Sequence, residues 1–223
     1  MEQKNAVIGE NISRTFFMGE TPVRALHRVS IAVDAGELVM LLGPSGSGKT
    51  TLLHTLSGLE KPDEGEVWVD GVSIYTLNDW KLSKFRSQCF GFVFQSFNLL
   101  PTLSALENVQ IPLRLLGSKH PVKQATEILA RVGLGERIHH KPGQLSGGEQ
   151  QRVAVARALV AKPRIVFADE PTGNLDSHTS QEIMALIREL VSENNSACLM
   201  VTHNQEFSSL ADRILHMRDG ELL

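Results

Sequence analysis

Apolar and polar positions alternate through Val29-Ser30-Ile31-Ala32-Val33 and through Glu66-Val67-Trp68-Val69, the period of a half-buried strand. Other runs are apolar throughout: 38–42, Phe90-Gly91-Phe92-Val93-Phe94, 165–168 and 199–201. Runs of that length predict strands covered on both faces. Between them the period lengthens. Helices are predicted over 50–59, 79–88, 104–116, 121–132, 147–161 and 178–193. The last carries Ile183, Leu186, Ile187, Leu190 and Val191 on one stripe. Asp34-Ala35-Gly36-Glu37, Pro62-Asp63-Glu64-Gly65 and Asp70-Gly71 read as turns. Pro101, Pro112 and Pro121 are expected to bound or kink helices.

Apolar strands about 33 residues apart with a helix between them are the βαβ unit of a parallel sheet. The stretch from about 97 to 160 is almost wholly helical and reads as a helical subdomain inserted into an α/β core. A length of 223 residues suits one large domain or two subdomains sharing a core. Hydrophobic residues are 42% and charged residues 21%, so disorder is excluded. A net charge of −3 gives no electrostatic footprint for general nucleic-acid binding. Cys89 and Cys198 are flanked by apolar residues and are expected to be buried thiols in a reducing compartment. The opening MEQKNAVIGE lacks the apolar core of a signal peptide, and no run approaches a membrane span of ~18 residues. A soluble chain is therefore expected, with any membrane role exerted through a partner. His139-His140 reads as a solvated loop, and Trp68 and Trp80 as packing residues.

Gly43-Pro44-Ser45-Gly46-Ser47-Gly48-Lys49-Thr50 fills every fixed position of GxxxxGK[ST], with a strand before it and a helix after it. Its glycines let backbone N–H groups turn inward around phosphates, and the following helix adds its positive end. Lys49 supplies a cation for the β- and γ-phosphates, and the Thr50 hydroxyl suits Mg²⁺. The apolar strand 165–168 delivers Asp169 and Glu170 to the sheet edge where α/β folds bind ligands. Asp169 is expected in the Mg²⁺ shell, and Glu170 as the group that orients or deprotonates the attacking water. Ser146 and Glu149, three residues apart at a helix start, form a capping-box pattern, and Gly147 and Gly148 leave the backbone there uncovered. That is a second helix N-terminus suited to an anion.

Leu145-Ser146-Gly147-Gly148-Glu149-Gln150 resembles the signature of ATP-binding-cassette (ABC) ATPases. The other marks of that family follow in order: the loop at 43–50, Gln95, the signature, Asp169-Glu170, Asn174-Leu175-Asp176 and His203. The resemblance implies a RecA-like P-loop NTPase core with an antiparallel β subdomain, and an inserted helical subdomain. Residues 1–95 and 160–223 would form the nucleotide-binding part, and 96–159 the helical part with the signature. It also implies ATP and Mg²⁺ as ligands and a head-to-tail dimer with two ATP molecules at its interface. Leu145, Ser146, Gly147, Gly148 and Glu149 would face the nucleotide held by Gly43, Pro44, Ser45, Gly46, Ser47, Gly48, Lys49, Thr50 and Thr51 of the second copy. Thr50, Gln95 and Asp169 would bind the metal, Glu170, His203 and Gln95 would serve catalysis, and Asp176 would lie at the dimer seam. Phe16, with Phe17 its neighbour, stands where the family stacks an aromatic ring on adenine, usually Tyr; Phe keeps the π-face.

The segments 91–99, 107–109, 145–154 and 168–177 resemble the MacB/LolD-like group. That likeness implies an integral membrane permease with a large extracytoplasmic domain as partner, and no nucleic acid. The chain would then sit in the cytoplasm, peripheral to the inner face of the membrane. The implied work is export or extraction of a lipoprotein, macrolide, peptide or haem. The alternative is a force-transmitting regulator of the cell envelope with no transported substrate. A soluble repair or translation ATPase is disfavoured, because one copy of each motif in 223 residues leaves no room for a coiled-coil insertion or a second cassette. The apolar stretch Phe97-Asn98-Leu99-Leu100-Pro101-Thr102-Leu103 is expected either in the core of the helical block or lining a groove for a permease helix.

Overall fold

A computed structural model describes residues 5–223; residues 1–4, the start of the stretch in which no signal peptide is expected, lie outside the described residues. Strands β1 (Asn5–Met18), β2 (Thr21–Asp34), β3 (Leu38–Leu42), β4 (Glu64–Val69), β5 (Val72–Ser73), β6 (Phe90–Phe94), β7 (Ile165–Asp169), β8 (Ala197–Thr202), β9 (Arg213–Arg218) and β10 (Glu221–Leu222) form two sheets. One is antiparallel in the order β2-β1-β4-β5, the other six-stranded in the order β10-β9-β3-β8-β7-β6. In the larger sheet β9, β3, β8, β7 and β6 run parallel, and β10 turns back along β9.

The unbroken apolar runs have a direct cause. Leu38, Met40 and Leu42 point into one core and Val39 and Leu41 into the other. β7 divides in the same way, Val166 and Ala168 to the first core and Ile165 and Phe167 to the second. The first core lies under helices α3 (Ala105–Leu115), α4 (Pro121–Arg131), α5 (Gly147–Leu159) and α6 (Ser177–Glu193). The second lies between the sheet, α1 (Lys49–Leu56) and the antiparallel strands. α2 (Asp79–Cys89) is capped by the Asn78 side chain, which accepts from the Lys81 N–H at 2.9 Å.

Helix limits follow local chemistry. α1 starts one residue before the expected 50–59 and stops at Leu56, where Ser57 and then Gly58, at φ +69°, turn the chain. Ser104 caps α3 through a capping box, Pro112 sits inside that helix, and Pro121 opens α4. Four features differ from the sequence reading. β1 and β2 are 14-residue strands. Their pairing is interrupted by register shifts, which break the alternation that would announce their length. β9 and β10 carry too little apolar pattern to be read. Trp80 is 71% exposed, with the Lys84 ammonium 5.4 Å from its ring centre, and so is not a packing residue; Trp68 is half-buried. Cys198 is buried and its thiol pushed up to about 12 by burial; Cys89 is only half-buried and raised to about 11 for the same reason.

Gly91 marks the tightest approach of sheet and helix. A Cβ there would stand 2.4 Å from the main-chain oxygen of Ala158 in α5. Gly91→Ala should drive β6 and α5 apart. Overpacking of this kind costs about 1–3 kcal/mol, at roughly 2–4 °C of melting temperature per kcal/mol for a chain this long. A thermal melt unchanged within about 1 °C would show that the contact is looser than the backbone geometry requires.

Candidate active site

Four neighbouring parallel strands end at one edge in register. Leu42 is level with Thr202, Asp169 with Val201, and Phe94 with Asp169. The residues that follow, Gly43, His203, Glu170 and Gln95, therefore emerge side by side. The N–H of Glu170 donates to the Val201 carbonyl at 2.9 Å, carrying the ladder one residue past β7. Glu170 has φ +44°, in the left-handed region where a non-glycine residue costs of order 1–3 kcal/mol. Its carbonyl accepts from Gly173 N–H at 3.1 Å. The turn so held aims the carboxylate at His203, whose Nδ1 lies 3.0 Å from Glu170 Oε1. A carboxylate partner requires that nitrogen to carry the hydrogen.

The loop 43–50 is held from behind. A Cβ on Gly43 would meet the Met217 carbonyl oxygen at 2.2 Å, and one on Gly48 the Ala25 carbonyl oxygen at 2.3 Å. Gly48 also has φ +101°. Only glycine fits at either position. Gly220 N–H donates to the Ser47 carbonyl at 3.1 Å, so the β9–β10 hairpin braces the loop. In front, nothing among the described residues stands within 4 Å of a Cβ built on Gly46. The Lys49 ammonium donates to the carbonyls of Gly43 at 2.8 Å and Pro44 at 2.7 Å, curled back across the loop. Burial lowers its pKa, against the pull of Glu170 and Asp169. Thr50 Oγ1 donates to Asp169 Oδ1 at 3.2 Å. Burial raises the Asp169 pKa, the hydrogen bond from Thr50 acting against it. A half-desolvated carboxylate beside a hydroxyl, with no ion pair among the described residues, is a donor set that suits a hard divalent cation such as Mg²⁺. Gln95 Nε2 donates to Asn174 Oδ1 at 3.2 Å, and Asn174 Nδ2 to the Gln95 carbonyl at 3.1 Å. This pair links the end of β6 to the turn after β7.

The residues 145–149 lie elsewhere. Ser146 N–H donates to Glu149 Oε2 at 2.8 Å and Glu149 N–H to Ser146 Oγ at 3.3 Å, the capping box read from the sequence. The bond from the Ser146 N–H, the largest cause, holds the Glu149 carboxyl below the usual carboxylate range. The N–H groups of Gly147 and Gly148 are left for a partner outside the helix. They open on a hollow lined by Ser146–Glu149, Arg152, Asn174, Leu175, Asp176 and Thr179, with no residue of 43–50 in it. Asp176 caps α6, accepting from Thr179 N–H at 3.0 Å. A Cβ on Gly148 would meet Thr179 Cγ2 at 2.6 Å, whereas one on Gly147 would have ordinary contacts.

Phe16 lies opposite Val23 on β2, two residues from Ala25, whose carbonyl touches the loop at Gly48. The Arg14 guanidinium covers one side of its ring at 4.8 Å. Phe17 is 73% exposed. An apolar groove runs between β6 and α3, walled by Phe92, Phe94, Ile111, Pro112 and Leu115. Of 97–103 only Asn98 reaches it; Leu99 packs on the first core. The groove therefore departs from the lining expected from the apolar character of 97–103.

A glycine-rich loop at a strand-to-helix junction, backed by an Asp-Glu strand end, defines a phosphate-loop nucleotidase. Residues 26–173 match the ABC transporter family, and the chain belongs to that family. It is 47% identical over 214 residues to the lipoprotein-releasing system ATP-binding protein LolD of Syntrophotalea carbinolica, covering 95% of this chain and 94% of the relative. It is 44% identical to the macrolide export ATP-binding/permease protein MacB of Rhodopirellula baltica over 94% of this chain, which is 31% of that longer protein. Among solved structures it is similar to the dimeric ATP-binding cassette MJ0796 bound to ADP and Pi, with a TM-score of 0.89 and 43% identity over 97% of this chain and 96% of that one. The relative MJ0796 is from Methanocaldococcus jannaschii. The chain is an ABC-type ATPase, and no helix among its described residues is long and apolar enough to cross a membrane.

Lys49 is the only side-chain cation within 43–50. Lys49→Ala should remove most ATP binding and leave the fold intact, since its bonds are to loop carbonyls that water can reach once the ammonium is gone. Titration calorimetry giving an undiminished ATP affinity would contradict this placement.

Proposed function

We propose that the chain is the ATP-hydrolysing subunit of a LolD/MacB-like exporter. It works as a head-to-tail pair on a membrane permease with a large extracytoplasmic domain, and it drives extraction or export of a lipoprotein, macrolide, peptide or haem. The observation that carries this reading is the separation of the two half-sites: the loop 43–50 with Asp169, Glu170, Gln95 and His203 at one edge, and the open α5 N-terminus in a hollow containing none of that loop. Each half lacks what the other offers, so a second copy completes both.

In this reading Lys49 leaves the carbonyls of Gly43 and Pro44 for the β- and γ-phosphates, and Phe16 stacks its uncovered face on adenine. Thr50, Asp169 and Gln95 hold Mg²⁺, which when bound neutralises and orients the phosphates. Glu170 takes a proton from water as the water oxygen attacks the γ-phosphorus. The bond from that phosphorus to the bridging oxygen breaks, giving ADP and phosphate. His203, donating from Nδ1, fixes the Glu170 carboxylate for that transfer. Gly147 and Gly148 of the second copy offer N–H groups to the γ-phosphate, with Asp176 at the seam. The groove between β6 and α3 seats an amphipathic helix of the permease. The chain's place on the inner face of the membrane follows from that docking.

Two experiments test the reading. Glu170→Gln keeps the reach of the side chain and removes its basicity, a loss worth on the order of 10²–10⁴-fold in rate. The variant should therefore elute as a dimer when ATP is present. Adding Gly147→Asp to the same chain sets a carboxylate against the phosphate and should return it to a monomer that still binds ATP. Wild-type hydrolysis by Glu170→Gln would move the role of base to another group. For the permease, Leu115 is 70% exposed at the groove. Leu115→Asp should leave the ATPase of the isolated chain unchanged and abolish co-purification of an integral membrane protein from solubilised membranes. An undiminished yield of that protein would exclude the groove as the dock.

A further inference from the structure

Gln151 is a fully buried glutamine one turn into α5, and nothing assigned to the site so far uses it. Its Nε2 donates to the carbonyl of Pro171 at 2.6 Å and, at a longer 3.4 Å, to the carbonyl of Phe94. Pro171 follows Glu170 and Phe94 precedes Gln95. One side-chain amide thus ties together the main chain on either side of the two residues that flank the attacking water. Its other atom, Oε1, is buried without a hydrogen-bond partner among the described residues. A residue placed for stability alone would not bury an unsatisfied acceptor; the donor end is what the position retains.

The surroundings explain why such a tie is needed. Glu170 holds φ +44°, and beyond Gln95 both Phe97 at +61° and Asn98 at +48° are in the left-handed region. Both loops are strained and persist only if the neighbouring structure holds them. α5 does this at two points. Arg157, mostly withdrawn from water and with its pKa lowered by burial, donates to the carbonyls of Phe97 at 2.9 Å and Asn98 at 2.5 Å. Gln151, six residues earlier, reaches the loop on the other side of Gln95 and also the turn after Glu170. The helix that presents Gly147 and Gly148 to one ATP therefore also grips the loops that serve the other.

We propose that Gln151 is a positioning residue for hydrolysis: it sets the Glu170 carboxylate and the Gln95 side chain through the carbonyls of Pro171 and Phe94, without touching nucleotide. The consequence is that a movement of α5, which carries the signature glycines, shifts the water-activating groups of its own chain's site. This rests on the proposed role of Glu170, and the test separates the two.

The experiment compares single-turnover hydrolysis and ATP affinity of the full chain in four forms: wild type, Gln151→Met, Glu170→Gln and the double variant. Met keeps the volume and removes the donor. A misplacement of about 1 Å in a reacting group can cost on the order of 10²-fold in rate. Gln151→Met should thus lose at least about 10-fold in hydrolysis with ATP affinity within about twofold, because the loop 43–50 is untouched. In the Glu170→Gln background the same change should have no further effect, since residues acting as a unit are not additive. Wild-type hydrolysis by Gln151→Met overturns the proposal. So does an equal further loss in the double variant, or an affinity that falls in step with the rate. If Glu170→Gln alone hydrolyses normally, it is the role of Glu170 that fails. Should Gln151→Met not fold, Gln151→Asn, which withdraws the amide by one methylene, takes its place with the same expectations.

Discussion

The parallel register of β3, β8, β7 and β6 is the constraint on which the rest depends. Side chains of a strand change face with every residue, so a slip of one position would exchange the two cores and carry the strand ends past one another. Here such a slip is opposed on both faces at once. Leu38, Met40 and Leu42 fill one core and Val39 and Leu41 the other, and β7 and β8 divide in the same way. The burial that makes these runs apolar also fixes where they end. Gly43, His203, Glu170 and Gln95 inherit that precision without having to pack well themselves, and so can be polar, exposed or strained.

Polar restraint then takes over from apolar packing at the sheet edge. The β9–β10 hairpin braces the phosphate loop through Gly220 and Met217. The turn after Glu170 is held by Gly173 and by Gln151, and the loop after Gln95 by Arg157. None of these restraints is a strong ion pair. Met217 acts by close approach, and the others each set a donor against a carbonyl whose conformation would otherwise relax, which keeps the loops defined yet within reach of a modest rearrangement.

Much of this was legible in the sequence, for reasons that can be named. Of the helices in the 104–193 stretch, α5 shows itself through Ser146 with Glu149 and α6 through its apolar stripe, whereas the caps Ser104 and Asp176 emerge only in the structure. The residues gathered at the sheet edge follow strands too apolar to be anything else. What escaped has equally physical causes. Register shifts hide the length of β1 and β2. In β9 only Met217 is buried, so Arg213–Arg218 offers little apolar signal although it forms part of the central sheet. The groove is walled by faces of β6, α3 and α5 that only the fold brings together. Gln151 looks like one more polar residue of a solvated helix face until the fold buries it.

In the proposed pair each chain supplies two separate half-sites. In one chain the phosphate loop gathers donors at a strand edge and the α5 N-terminus opens into a different hollow. Had α5 been an independent unit, completing one site would have no bearing on the other. It is not independent: Gln151 and Arg157 fasten it to the loops beside Glu170 and Gln95, and Gly91 leaves no slack between β6 and α5 at Ala158. The same helix also borders the groove, where Arg157 and Ala158 stand beside Phe92 and Phe94. A helix that touches the groove, the turn after Glu170 and, in the proposed pair, the second copy cannot move at one of these places alone. Coupling among them then needs no long pathway, only this one helix.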